Sequence, residues 1–581
     1  MPKRKVTNRD IARILKEIAA IYEAEGVQFK PQAYEIAAKT VEELGEELSS
    51  MYRECGRGCI DDLPGIGKSI TELVEELVTL GRSELFEKMK RKYPFDILAL
   101  TAIEGVGPKT VVELYRRLKI KTVADLERAI KAGKIEKLSG FGKRSQEKML
   151  EGISFLKKGR GRVLLNFALY HAEQIEERMR AVEGVSKFDV CGSVRRRKET
   201  IGDLDFIVAT KKPKKAIEAF KNLPFVEKVV EEGQAQVAVK FTFGMDGDLL
   251  VINPAVYGAA LVHFTGSKEH NIQIRSLAID KGLKLSEYGI KKGKKVLAGK
   301  NEDEVYRRLG MKTPPPEIRE ARGEVEVALQ GKLPALIPYG SIKGDLQIQT
   351  DWSDGHDSIE DMAQAARDLG LEYIAITDHT KSLAMTGGLN ETDLARQARE
   401  IDKVNKKMRG FKVLKSSEVE ILKDGKLDLS DAALERLDIV SVAVHSNFGM
   451  SEEEMTERII RAMKNPLVNI LFHPTGRVIN KRPGYKIDMS KIVEAAKEYK
   501  VALEANAFPD RLDLNDAHIR MAVDAGVKLV INTDAHSTEH LKYLDLGVAQ
   551  ARRGWARKAD VLNALSVDML EKKLSQKKQR I

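Results

Sequence analysis

Cysteine is scarce: the 581 residues hold three, Cys55, Cys59 and Cys191. Three cannot build a disulfide framework, and no paired C-x-x-C spacing offers a structural zinc site, which fits a reducing compartment. No apolar run approaches the ~18 residues that would cross a bilayer. The opening MPKRKVTNRD also lacks the apolar core of a secretory signal. A soluble, cytoplasmic, monomeric protein with no membrane partner is therefore expected. What is present suits folded domains: 43% of residues are hydrophobic, and the length prior suggests about three to five domains. Lys and Arg (98) outnumber Asp and Glu (87), for a net charge of +11. That balance suits a polyanionic partner, although a solvated Lys/Glu-rich surface from a heat-adapted organism explains it equally well.

The pattern changes twice along the chain. Residues 6–155 show helical spacing of apolar residues, as in IARILKEIAAIYEA, and contain three related segments: LPGIGKSI (63–70), IEGVGPKT (103–110) and LSGFGKRS (138–145). From about 160 a helix leads into strand-like runs, SKFDVC, LDFIVAT, QVAVKFTF and DLLVIN. KTPPPEIREARGEVEVALQGKLPALIPYGSIKG carries five prolines and reads as a linker. After 340, seven strand candidates (DLQIQT, YIAITDH, FKVLKSSEVEI, IVSVAVHS, VNILFHP, VALEANA and KLVINTDAH) alternate with amphipathic helices. Such repeated β-α units point to a parallel barrel whose active site lies at the strand C-terminal ends.

In each of the first two repeats (Gly65, Gly67, Lys68; Gly105, Gly107, Lys109) glycines permit a tight turn just before a helix. Amides exposed there can face a phosphate without reading base sequence. An ordinary helix corner also uses glycine, but the repetition, with a lysine each time, favours a phosphate-backbone contact. Gly140, Gly142 and Lys143 form a third, weaker copy. These segments resemble the helix-hairpin-helix elements of DNA repair proteins.

The sharpest chemical signal is CGSVRRRKETIGDLDFIVAT (191–210). Asp203 and Asp205 are spaced i, i+2 on a strand, so both carboxylates project from one face, and Asp248 joins them if its strand is a neighbour. Carboxylates gathered this way are costly without cations, and hard oxygen ligands suit Mg²⁺. Gly192 and Ser193 supply a backbone turn and a hydroxyl for phosphate oxygens, with Arg195, Arg196 and Arg197 adding positive charge. A surface strand with two solvated acids would explain neither the turn nor the arginines.

G192-S193 with its arginines, then G-D-L-D (202–205), D-L-L-V (248–251) and Y-G-A-A-L-V-H-F-T-G-S-K-E-H-N (257–271), resemble the family X DNA polymerases. The resemblance implies a Mg²⁺ or Mn²⁺ pair on Asp203, Asp205 and Asp248, with Asp248 helping to activate the primer 3′-hydroxyl. Ser193 and Arg196, with Gly192 and assistance from Arg162, would take the phosphates of a dNTP. His263, Phe264 and Gly266 match the segment beside the sugar, and Asn271 and Arg275 match contacts to minor-groove edges. The family often has Tyr where His263 stands. Leu73 occupies the position of the Schiff-base lysine in members with lyase activity, so that chemistry is not expected by the usual route.

In the C-terminal region the polar residues cluster at strand ends: Asp354, His379, Glu418, His445, His473, Asp534 and His536. Mixed His and carboxylate ligands favour Zn²⁺ or Mn²⁺. This region resembles the PHP (polymerase and histidinol phosphatase) family, which follows the polymerase region in bacterial and archaeal family X polymerases. PHP domains typically open with His-x-His; here Gln347 and Gln349 replace both, and a carboxamide oxygen is a poor ligand beside imidazole. His356, nearby, reads as a loop histidine. The resemblance thus implies a 3′–5′ exonuclease whose metal complement is incomplete.

The expected architecture is multidomain, α+β and α/β. A lyase-like helical domain (1–85) and a fingers-like helical domain (86–160), each with a helix-hairpin-helix, precede a nucleotidyltransferase palm (161–254) and thumb (255–315). A linker (316–340) then leads to a PHP barrel (341–581). The expected function is DNA-directed, gap-filling DNA synthesis in repair. Two rivals are a PHP phosphoesterase that uses the N-terminal region as a DNA clamp, and a non-catalytic DNA-binding scaffold. The intact aspartates count against both, and the glutamines count further against the first.

Overall fold

The computed structural model describes residues 6–44, 47–61, 63, 65–103, 105–136, 138, 141–159 and 161–578. The chain divides into two units, residues 1–160 with 480–483, and the remainder from 161.

The first unit is helical, and its punctuation is local. Thr7 and Asp10 form a capping box at the start of the helix Asn8–Glu25, which ends at Gly26 in the left-handed conformation. Each of the first two glycine hairpins is anchored in its own apolar core. Ile66 and Val106, the residues between the glycines, are buried, whereas Lys68 and Lys109 are exposed. Gly65 has φ +73°, and a Cβ there would lie 2.3 Å from Ile36 Cγ2, so the turn requires glycine. Gly67 and Gly107 are the N-caps of the helices Lys68–Leu80 and Pro108–Leu118, neither of which is capped by a side chain. In the third copy, Phe141 is buried just before the helix Lys143–Gly159, while Gly140 and the Lys143 side chain lie outside the described residues. Leu73 is packed in the first core.

One expectation is corrected here. Cys55 and Cys59 are bonded, their Cα atoms 5.8 Å apart, because Gly56 turns the chain between the helices Leu48–Cys55 and Gly58–Asp61. The bridge closes a very short loop and joins no distant elements.

The second unit begins with a five-stranded sheet: β1 (Val185–Val190), β2 (Asp203–Thr210), β3 (Val226–Glu232), β4 (Gln236–Phe241) and β5 (Asp246–Ile252). The order is β1-β2-β5-β4-β3, with β2 and β5 parallel and the other neighbours antiparallel. The helix Leu165–Arg180 packs Leu165, Ala168, Ala172 and Ile175 into the same apolar cluster as Phe188, Phe206 and Phe241 of the sheet. Sequence periodicity missed β3 because it is an edge strand with nearly every residue exposed, leaving no inward-facing row to mark it. Helices Tyr257–Thr265 and Lys268–Asp280 follow, then a three-stranded sheet and the helix Glu302–Arg308.

The proline-rich stretch expected as a linker is instead a packed strap carrying the short helices Pro316–Ile318 and Glu324–Leu329. Arg319 is fully buried within it. Its Nη1 lies 2.6 Å from Glu302 Oε1, and its guanidinium stacks over Tyr306 at 5.0 Å. Proline marks restricted backbone as readily as a loose connection, and here the restriction aids packing.

All seven strand candidates beyond residue 340 form strands: β6 (Gly344–Ile348), β7 (Tyr373–Ile376), β8 (Lys412–Lys415) with its continuation β9 (Glu418–Glu420), β10 (Ser441–Ala443), β11 (Ile470–Leu471), β12 (Ala502–Asn506) and β13 (Leu529–Asn532). Every pairing is parallel. Bridges between His379 and Glu418 and between Ile348 and Ala535 close the ring. Leu346, Ala375, Ala443, Phe472 and Val530 share an apolar cluster, as expected for a packed barrel rather than a pore. Among the described residues no helix is long and apolar enough to cross a membrane.

The hairpin geometry makes one outcome specific. Lys109→Ala should weaken duplex binding to a similar degree for unrelated DNA sequences and lower the slope of log K against log salt by about 1. Filter-binding titrations at several salt concentrations measure both; a loss confined to one sequence would rule out a backbone contact.

Candidate functional site

Parallel pairing of β2 with β5 sets Asp205 directly opposite Asp248, and Asp203 opposite Asp246. Because strand side chains alternate, all four carboxylates lie on one face. Asp246 was missed from the sequence, although its i, i+2 spacing to Asp248 repeats that of Asp203 and Asp205. Gly192, with φ +57°, lies against this group: a Cβ there would fall 2.1 Å from Asp205 Oδ2. Only glycine lets the turn approach so closely. Crowding shows in the acidities. Burial, then the charges of Asp203 and Asp248, push the Asp205 carboxyl up to about 7, against an opposing pull from Arg196. Asp248 is raised by burial and then by Asp203 and Asp246.

Beside the carboxylates opens a cleft of about 590 Å³. Its walls include Arg162, Gly192, Ser193, Arg196, His263, Phe264, Gly266, Asn271 and Arg275, the residues matched to nucleotide contacts from the sequence, together with Asp203 and Asp205; Asp248 lines a neighbouring pocket that shares Asp205 and Phe264. Lys198, Lys268 and Ile272 also line it and were not foreseen. Arg275 Nη2 donates to His263 Nδ1 (2.8 Å), and Asn271 Nδ2 donates to the His263 carbonyl (2.7 Å). Burial, then the Arg275 charge, lowers the His263 pKa, so the ring is a neutral acceptor. The three consecutive arginines separate. Arg196 lines the cleft, its Nε 3.1 Å from Glu320 Oε1. Arg195 does not add charge to the cleft as expected; it forks onto Glu302 at 2.9 and 2.7 Å and ties the helical turn Gly192–Arg195 to the helix Glu302–Arg308. Arg197 has φ +55° and is absent from the cleft lining.

The barrel gathers its polar residues at the strand C-terminal ends. Asp354, His379 and His536 offer ligand atoms within 4.8 Å of one another, as do His379, Glu418 and His445. His536 Nε2 and His379 Nε2 each lie 3.7 Å from an Asp354 oxygen. His536 Nδ1 donates to the Asp534 carbonyl (2.7 Å), which turns the Nε2 lone pair toward Asp354. His445 Nδ1 is similarly held by Glu420 (2.9 Å). At the other end, Gln347 Nε2 (3.2 Å) and Gln349 Nε2 (2.8 Å) both donate to Glu418 Oε2. His473 Nε2 and His445 Nε2 contact Glu418 Oε1 at 2.7 and 3.0 Å. Asp534 is held by Arg511 (3.1 Å) and Asn506 (3.2 Å). His356 is exposed and belongs to neither ligand group found among the described residues.

Family models match these regions in order. A helix-hairpin-helix domain covers residues 6–83, a SAM-like helix-hairpin-helix tandem 97–154, a DNA polymerase beta palm 168–253, a DNA polymerase beta thumb 260–320 and a PHP domain 345–517. The chain is 38% identical over 571 residues to the DNA polymerase/3′-5′ exonuclease PolX of Bacillus subtilis (strain 168), covering 97% of this chain and 98% of that protein. The chain belongs to the family X DNA polymerases. Its C-terminal part is also 30% identical over 241 residues to a probable phosphatase of Thermoanaerobacter sp. (strain X514), covering 39% of this chain and 93% of that protein. DNA polymerase lambda of Arabidopsis thaliana matches at 26% identity over 310 residues, covering 49% of this chain and 54% of that protein.

Family X palms and PHP domains are metal-dependent, and the two sites differ in how well they fit metals. In the palm the donors are all carboxylate oxygens, crowded enough to raise the pKa of Asp205 and Asp248, and Gly192 leaves the Asp205 oxygen uncovered. That set fits hard divalent cations. In the barrel, Asp354, His379 and His536 fit an ion of intermediate hardness. The Gln347/Gln349 end does not fit. Its amides donate hydrogen bonds to Glu418, and the Arg511 cation answers Asp534, so both carboxylates there have donors without metal, while Gln349 Oε1 and His473 Nδ1 stay buried with no hydrogen-bond partner.

The raised pKa of Asp205 gives a pH dependence. A carboxyl with pKa near 7 is largely protonated at pH 6 and must lose that proton to ligate. Mn²⁺ affinity at the palm should fall as pH drops through 7, by about tenfold per unit at most, and level off above it. Titrations followed by electron paramagnetic resonance, with Asp205→Asn subtracting the barrel's contribution, test this. Affinity unchanged between pH 6 and 8 would contradict it.

Proposed function

We propose that the cleft is the nucleotidyl-transfer site of a template-directed polymerase that fills gaps in DNA, and that it takes a dNTP. Asp203, Asp205 and Asp248 would hold Mg²⁺ or Mn²⁺. The observation that carries this reading is the register of β2 and β5, which sets Asp248 opposite Asp205, a residue that lines a cleft also presenting Gly192, Ser193 and Arg196.

Bound divalent cations supply charge neutralisation at the attacking and leaving oxygens of the transfer. This chain's residues do the rest. Ser193 Oγ and the Arg196 guanidinium bind the β- and γ-phosphates, with Arg162 and the unforeseen Lys198 and Lys268 adding positive charge around the same cleft. Asp248 orients the primer 3′-hydroxyl and helps to draw off its proton. His263, fixed as a neutral acceptor by Arg275, forms the wall beside the sugar with Phe264 and Gly266. Asn271 and Arg275 meet the minor-groove edges. The glycine hairpins hold the DNA backbone through amides and Lys68 and Lys109.

For the barrel we propose a weakened 3′–5′ exonuclease or phosphoesterase centre. Asp354, His379 and His536 retain one ligand group for Zn²⁺ or Mn²⁺, whereas Gln347 and Gln349 occupy the His-x-His end with hydrogen-bond donors.

Extension of a one-nucleotide-gapped duplex should require a divalent cation. It should fall about 10²–10³-fold in Asp205→Ala, the scale of losing several kcal/mol of transition-state stabilisation. Single-turnover incorporation measures this, and synthesis that survives either chelation or the substitution would sink the reading.

A further inference from the structure

The barrel touches the backbone of Arg196 and Arg197 from the helix Leu544–Arg553. Leu546 on this helix enters the apolar cluster of the palm. Gln550 and Arg553, both buried, point at the loop that carries Arg196. Gln550 Nε2 donates to the Arg197 carbonyl (2.9 Å), and Arg553 Nη1 donates to the Arg196 carbonyl (2.7 Å). Arg553 Nη1 also reaches Glu320 Oε1 (3.0 Å), the same oxygen that receives Arg196 Nε at 3.1 Å. Its Nη2 is anchored on Asp516 Oδ2 (2.5 Å), a barrel residue.

Arg553 therefore fixes Arg196 twice, by its backbone carbonyl and, through Glu320, by its guanidinium. The loop needs such support. Arg197 sits in the left-handed region at φ +55°, where its Cβ crowds the backbone carbonyl, so contacts that hold its neighbours in place favour the conformation. Gln550 supplies such a contact from outside the palm. A phosphate-binding arginine works only if its fork is held in place before the ligand arrives, because ordering it on binding would weaken affinity.

We infer that Gln550 and Arg553 are positioning residues for the incoming nucleotide: the PHP barrel sets the reach of Arg196 into the cleft, independently of any metal the barrel holds. This rests on reading Arg196 as the ligand of the nucleotide's phosphates. Other ties between barrel and palm side, such as Arg552 Nε to Glu317 Oε1 (2.7 Å), do not touch residues 196 and 197 and serve as controls for a merely structural interface.

The test uses the full chain on one-nucleotide-gapped DNA, with steady-state kinetics in dNTP and a separate Kd for the duplex. Gln550→Met keeps the volume and removes the donor. Arg553→Lys keeps the charge and removes the fork, without the unpaired buried carboxylates that a neutral residue would leave. Each should raise the KM for dNTP about 5–10-fold, the scale of one buried hydrogen bond, with kcat within about twofold and the DNA Kd unchanged. Arg552→Lys, which keeps a charge beside the buried Glu317, should match the parent in KM, and Gln550→Met should add nothing in an Arg196→Ala background. If Arg196→Ala itself leaves the KM unchanged, the reading of Arg196 fails. If Arg196→Ala raises KM while Gln550→Met and Arg553→Lys do not, or if these two raise KM only together with a loss of thermal stability and DNA affinity, the positioning role is overturned.

Discussion

A carboxylate packed among other groups must have its charge answered, and the two metal-type sites of this chain meet that requirement in opposite ways. In the palm, Asp203, Asp205, Asp246 and Asp248 share a sheet face, and among the described residues Arg196 is the cation that pulls the Asp205 pKa down, so the face invites cations from solution. In the barrel, Glu418 is answered from within, by two glutamine amides and by His445 and His473. Burial would raise its pKa, yet His379 and His445 hold it well below the usual carboxylate range. With Glu418 so answered, the cluster has less to gain from an ion at that carboxylate, although Gln349 Oε1, His379 Nδ1 and His473 Nδ1 beside it are buried with no hydrogen-bond partner.

Charge compensation also organises the connections between domains. Arg195 and Arg319 converge on Glu302; Arg196 and Arg553 converge on Glu320; Arg553 and Arg322 converge on Asp516. Buried pairs of this kind add little net stability, but removing one partner is costly, so they specify a single arrangement of palm, strap and barrel. The strap is where this shows most clearly. Its prolines restrict the backbone, and its buried Arg319, Glu317 and Glu324 carry the polar ties. The barrel thereby serves the polymerase as a rigid support at the same time as it forms a site of its own.

Much of this was legible in the sequence. The alternation in LDFIVAT and DLLVIN marked two strands, and D-x-D spacing put Asp203 and Asp205 on one face. The repeated β-α pattern announced the barrel and all its strands. What escaped notice depended on distance along the chain or on missing contrast. Glu302, Glu320, Gln550 and Arg553 lie more than 100 residues from the loop they serve, and no local pattern marks a partner that only the fold brings close. The same holds for Arg195, whose neighbours in sequence say nothing of the carboxylate that removes it from the cleft. The edge strand β3 lacks a buried face. Asp246 was different: its spacing to Asp248 was open to reading, and only the presence of a nearer match at Asp203 and Asp205 drew attention away.

The central claim is that the palm is the one completely furnished catalytic centre, and that Gln347 and Gln349 hold the barrel's activity down by answering Glu418 in place of metal. Degradation of a 5′-labelled primer, with metal content determined in parallel, tests this most directly, using protein in which Asp205→Ala has silenced synthesis. The account predicts slow 3′ shortening and a low barrel metal content, both rising when Gln347→His and Gln349→His are introduced together. Rapid shortening by the Asp205→Ala protein with both glutamines in place and the barrel fully loaded with metal would contradict it.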